Sequence, residues 1–137
     1  NLILAKEWPL RKDCAAVVWH LSESMDHLLR LQDLGFGKLA FGSSGKYWKI
    51  GTPEWERRVD KAFNTLINHC PLPWVHMMRG LSLGGKQWPF SSADSTNVTL
   101  HHAENNVTAE HMARQIDHAQ CPVQWTIKPT QKELLDA

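Results

Sequence analysis

Short continuous apolar runs alternate with amphipathic stretches along most of this chain. Ala15-Ala16-Val17-Val18-Trp19 is one such run, the pattern of a strand buried on both faces. After His20-Leu21-Ser22-Glu23 the spacing predicts a helix over 25–34 that is capped by Ser24. Met25, Leu28, Leu29 and Gln32 lie on one side of it, and Gly35 and Gly37 supply its stop. Lys38-Leu39-Ala40-Phe41 is a second strand, ending in Gly42-Ser43-Ser44-Gly45, and a loop through Tyr47, Trp48 and Ile50 follows.

Thr52-Pro53-Glu54 then opens the best-marked helix, with an N-cap threonine, proline at the first helical position and acids in the first turn. Its apolar stripe is Trp55, Val59, Ala62, Phe63, Leu66 and Ile67, and Pro71 and Pro73 close the segment. Residues 74–78 and 90–93 are the third and fourth strands, with room for a short helix at most between them. A last helix is expected over 109–119, with Thr108 as cap and Val107 stapled to Met112. There is no internal repeat or low-complexity tract.

Strand–helix alternation of this kind predicts an α/β fold, a parallel sheet with helices packed outside. Four strands in 137 residues match half of a (β/α)8 barrel, whose full length is about 250 residues. An open sheet is the alternative. The expectation is a single domain over 1–137, the C-terminal half of such a barrel, with a tail at 126–137 that frays.

Composition narrows the partners. A hydrophobic share of 42% suits one modest core. A net charge of +1 with eight neutral histidines produces no broad basic field, so a nucleic acid would have to be held by a local patch. Cys14, Cys70 and Cys121 are odd in number and lack CxxC spacing, which suits a reducing, cytoplasmic location. No apolar run approaches the roughly 20 residues of a membrane span. Leu2-Ile3-Leu4-Ala5 is shorter than the roughly 7–15 residues of a signal-peptide core, so the sequons at Asn97 and Asn106 read as chance. The start at Asn1 suggests processing or a piece of a longer gene. Most of the seven tryptophans are expected in the core or in a substrate wall.

Candidate chemistry gathers at the strand ends, which a parallel sheet brings to one rim. They are His20, Ser22 and Glu23; Gly42 to Gly45; Arg79 and Gly80; and Asp94 to Asn97. Asp94, followed by Ser95-Thr96-Asn97, is the candidate for chemistry; its plainer reading is a helix cap or an ion pair with Arg79. Gly42-Ser43-Ser44-Gly45 is either a tight turn or a place where a flat base or a phosphate meets backbone amides. Gly80 and Gly84-Gly85 allow the same two readings. His101, His102, His111, His118 and Cys121 raise zinc, but their spacing fits no compact ligand pattern, and no cofactor is expected. A serine–histidine–aspartate site on Ser95 lacks a GxSxG-type turn.

The ordered set Phe41-Gly42-Ser43-Ser44-Gly45, Met78-Arg79-Gly80-Leu81-Ser82-Leu83-Gly84 and Ser91-Ser92-Ala93-Asp94-Ser95-Thr96-Asn97 resembles the C-terminal barrel half of the tRNA-guanine transglycosylase superfamily. It is closest to a phage and bacterial branch that puts 7-deazaguanine bases into DNA or RNA. The stretches Gly51-Thr52-Pro53-Glu54-Trp55 and Gln120-Cys121-Pro122-Val123-Gln124-Trp125 are also similar, so the resemblance spans most of 15–125. It implies base exchange at an N-glycosidic bond, with Asp94 as the nucleophile that forms a covalent glycosyl intermediate and Gly42, Ser43, Ser44 and Gly45 against the incoming guanine or 7-deazaguanine. Glu23, Arg79, Gly80, Asn97 and His102 are the further candidates for base or phosphate contacts.

Two departures stand out. The family's zinc-binding cysteine cluster is absent, and so is the N-terminal barrel half with its second catalytic aspartate. The implied partners are therefore DNA or tRNA, together with the missing half or a second copy of this chain. Two alternatives stay open: a non-catalytic nucleobase or nucleic-acid binding module, and a nucleoside or glycoside hydrolase using Asp94 with Glu23.

Overall fold

The computed structural model describes residues 2–81, 87–95, 108, 110, 111, 114 and 124–129. In chain order the elements are α1 (Leu2–Lys6), β1 (Ala16–His20), α2 (Met25–Gln32), β2 (Lys38–Gly42), α3 (Pro53–His69), β3 (Trp74–Met77) and β4 (Ser92–Ala93). The strands form one parallel sheet in the order β1-β2-β3-β4. The α/β reading therefore stands, with each strand beside its neighbour in sequence.

The local signals act as their chemistry dictates. Ser24 accepts from the His27 amide and Thr52 from that of Trp55, so each satisfies a donor that the first helical turn leaves unpaired. Gly35 takes a left-handed φ of 79° just beyond α2. Leu28 and Leu31 are the fully buried leucines of α2; the predicted stripe had missed Leu31.

Register aligns Val17 with Leu39 and Val75, and Trp19 with Phe41 and Met77. These six are buried in one core with Leu28, Leu31, Trp55, Val59, Phe63 and Leu66 from the helices. The opposite face carries Val18, Ala40 and His76 in register, and there Val18 and His76 are only half-buried. The expectation that β1 is buried on both faces is thus corrected: its helix-facing side is closed, while Ala16 and His20 on the other side are exposed.

Two elements differ from the predicted pattern. α1 was not expected; its Ala5 joins the core, and a cavity of about 210 Å³ beside β1 is lined by Leu4, Ala5, Trp8, Ala16, Val18 and Phe36 among others. β4 is shorter than 90–93 because Ser91 interrupts the ladder. Its hydroxyl accepts from the Val75 amide at 3.2 Å, a bond that regular pairing would give to a carbonyl.

Trp19, Trp55, Trp88 and Trp125 are buried, and each indole N–H has an acceptor, as a buried indole requires. These are Ser24 O, Ser43 Oγ, Asp60 Oδ1 and Asn64 Oδ1 respectively. Asn64 also donates to Lys128 O at 2.7 Å, and Lys128 Nζ lies 2.9 Å from Asp60 Oδ1, so the 124–129 segment lies along α3. The rest of the tail expected to fray lies outside the described residues. Of the helix expected over 109–119, residues 110, 111 and 114 are helical, and Thr108 Oγ1 accepts from the His111 amide; the remainder is outside the described residues. Among the described residues no helix is long and apolar enough to cross a membrane.

Candidate functional site

Parallel strands deliver their C-terminal ends to one rim, where the turns after the first three strands meet Asp94 at the end of the fourth. At the end of β1 the His20 amide donates to Glu23 Oε2 at 2.8 Å, and Glu23 Oε1 lies 3.5 Å from His27 Nε2. Arg58 of α3 donates to Leu21 O at 2.8 Å and also to Glu23 O. Burial pushes the Arg58 guanidinium below its usual value, while Tyr47 acts in the opposite sense. An arginine stays charged through such a shift, so Arg58 is a fixed cation clamping this turn. The Glu23 carboxylate serves the turn as well.

After β2, Ser43 is buried and its hydroxyl accepts the Trp55 indole N–H at 3.0 Å. Ser44 Oγ shares a 2.8 Å hydrogen bond with Ser22 Oγ, joining the first two strand ends. Gly42 admits the His20 ring, since a Cβ there would stand 2.7 Å from His20 Nδ1.

β3 leads into a strained turn. Arg79 has a φ of 60°, a left-handed conformation that costs a side-chain-bearing residue roughly 1–2 kcal/mol. Its amide donates to Asp94 Oδ1 at 2.5 Å and its guanidinium to Ser43 O at 3.3 Å. The expected Arg79–Asp94 contact is therefore made by the backbone amide, while the side chain bridges back to β2. Leu81 N–H reaches Asp94 O at 3.2 Å, and Asp94 N–H reaches Met77 O at 3.3 Å. A Cβ on buried Gly80 would lie 2.2 Å from Met77 Cγ. Gly80→Ala is accordingly expected to destabilise the fold by about 1–3 kcal/mol, the usual cost of overpacking. Urea denaturation checks this; an unchanged midpoint would contradict the packing.

The Asp94 side chain is 58% exposed, with Oδ1 3.4 Å from His76 Nε2. The other ring nitrogen of His76, Nδ1, is 2.6 Å from Ser92 Oγ, and Trp74 lies nearly parallel to the imidazole. His76 and Ser92 were missed in the sequence. The signal that could have found them is strand alternation, which puts Trp74 and His76 on the face opposite Val75 and Met77. The result is an accessible carboxylate oriented by one amide and one imidazole. Chemically it can attack an electrophilic carbon or accept hydrogen bonds from a ligand.

Arg79, Ser43 and Asp94 thus form one contact group, with Gly80 completing its turn. Ser44 sits beside Ser22, and Glu23 belongs to the Arg58 clamp. Asn97, His102 and Gly84-Gly85 lie outside the described residues, as do His101, His118 and Cys121. Among the described residues no group of three histidine, cysteine or acidic side chains could hold a metal ion.

No protein-family model, curated protein or solved structure matches the chain.

Proposed function

We propose that the chain is the C-terminal half of a (β/α)8 barrel whose rim exchanges guanine for a 7-deazaguanine in DNA or RNA. The observation that carries this reading is Asp94, held at the end of β4 by the Arg79 amide while Arg79 ties the same turn to Ser43 at the end of β2. The strand order supports it: β1-β2-β3-β4 never reverses, as in a barrel, whereas doubly wound sheets reverse at their binding crevice. Four further strands, from another polypeptide segment or a second copy, would close the barrel.

In the proposed reaction an Asp94 oxygen attacks C1′ of a guanine nucleotide. The new C–O bond forms as the C1′–N9 bond breaks, and its electron pair leaves with guanine, which takes up a proton. A 7-deazaguanine then attacks C1′ through N9, losing its own proton and releasing the carboxylate. A carboxylate fits because the transition state has oxocarbenium character. The nucleotide would be single-stranded or flipped from a duplex.

Nucleoside mass spectrometry on DNA and tRNA from cells expressing this protein and supplied with a 7-deazaguanine precursor tests the reading. A deazaguanosine in one polymer is expected. Its absence from both would overturn base exchange, and release of free guanine without incorporation would indicate a hydrolase.

A further inference from the structure

The strand-end rim continues sideways into a basic, aromatic groove over the 3₁₀ turn Gly45–Tyr47 and the adjacent side of α3. Two cavities, of about 330 and 550 Å³, share Lys46, Tyr47 and Arg58. The first is completed by Glu54, Arg57 and Lys61, the second by Ser22, Glu23 and Ser24 of the β1–α2 turn. Around the first, four cations face one carboxylate, a local net charge of +3 in a chain whose total is +1. The remaining residues therefore sum to −2, and the positive charge is concentrated here. This is the kind of local patch that the sequence requires of a nucleic-acid binder.

Two further features indicate the kind of polyanion. Lys46-Tyr47-Trp48-Lys49 places two aromatics between two cations, and Trp48 is 68% exposed. An exposed indole that follows two groove residues directly in the chain offers a stacking surface for an unpaired base, as in proteins that bind single strands. Arg57 and Lys61 are one helical turn apart on α3, so the cations are spaced along a surface and suit successive phosphates better than one compact anion.

We propose that this groove binds single-stranded nucleic acid, with phosphodiesters on Lys46, Arg57 and Lys61 and a base stacked on Trp48. The strand then runs past the Ser22–Ser44 contact toward Asp94, a direction that rests on the base-exchange reading. Arg58 takes no part in binding the polymer, because it is committed to Leu21 O and Glu23 O. The Glu54–Arg57 contact of 3.3 Å, between exposed side chains, gives way to phosphate.

The test is fluorescence anisotropy of the full chain with labelled 12-nucleotide DNA and RNA single strands, across about 50 to 200 mM salt. A Lys46→Gln/Arg57→Gln/Lys61→Gln variant removes three surface cations. Each is expected to flatten the logarithmic salt dependence by about 0.7. Over that fourfold salt range the unmodified chain should lose about twentyfold more affinity than the variant. Trp48→Ala should weaken binding about fivefold or more at fixed salt with the slope unchanged, and circular dichroism confirms that both variants fold. Equal affinity and slope for the unmodified chain and the triple variant would overturn the proposal, as would no binding at low salt or equal preference for duplex.

The two readings fail separately. Patch-dependent binding without any guanine exchange would remove base exchange and leave the groove. Exchange in oligonucleotides whose binding ignores the triple substitution would remove the groove and leave base exchange.

Discussion

Asp94→Ala is expected to abolish the covalent adduct with a guanine-containing strand and to lower base exchange by roughly 10⁴-fold or more, the scale seen when a nucleophile is removed. The fold should survive. The side chain is 58% exposed, its bonded partner is the Arg79 amide at a solvent-facing turn, and its backbone bonds to Met77 and Leu81 remain. An exposed amide that loses its acceptor turns to water, which limits the loss to about 1 kcal/mol. Intact-protein mass spectrometry reads the adduct, and urea denaturation reads the fold. Exchange at a near-normal rate in this variant would exclude Asp94 as nucleophile. Loss of exchange together with collapse of the fold would make it a structural residue.

Phe41→Ala should have the largest effect on stability. Phe41 is fully buried at the centre of the sheet, with ring centroids of Trp19, Phe63 and Phe90 at 5.1, 5.5 and 6.1 Å. Removing the ring forfeits its burial, leaves a cavity and breaks three aromatic contacts, and such truncations cost about 3–5 kcal/mol. Against a total of about 5–15 kcal/mol that is a large fraction, and the urea midpoint should fall by about 1–2 M. The consequence extends to the rim, because Phe41 O accepts from the Met78 amide at 3.1 Å, next to Arg79. Trp48→Ala, an exposed truncation, should by contrast stay within about 0.5 kcal/mol. An unchanged midpoint in Phe41→Ala would contradict the packing.

Where chemistry is local, the sequence was legible. Thr52 and Ser24 mark helix starts through bonds made within three residues and Pro53 through its fixed φ, while the stripe of α3 follows from burial on one face and β2 from burial on both. What escaped depends on partners distant in sequence. β4 shrank because Ser91 meets Val75 across the sheet, and α1 is secured by a core that its own five residues do not encode.

The same distinction applies at the rim. Asp94, Arg79 and the Gly42–Gly45 turn were visible as strand ends. That the contact runs through the Arg79 amide, and that His76 and Ser92 stand beside the carboxylate, depends on register between β3 and β4. The intramolecular bonds of Glu23 and Ser43, to the His20 amide and the Trp55 indole, likewise depend on the fold.

The strand order also governs how the molecule assembles. Among the described residues every strand lies beside its predecessor, so each can pair with an edge already formed and none of the four has to insert between two others. Pairing of this sequential kind keeps the closed loops short and the search fast for a parallel sheet. Trp88, Phe90 and Trp125 follow the first three strands in sequence and reach the core through Asp60, Phe63 and Asn64. Until Trp88 and Phe90, and then Trp125, have been added, the rings of Trp55 and Phe63 lack the aromatic partners they have in the fold.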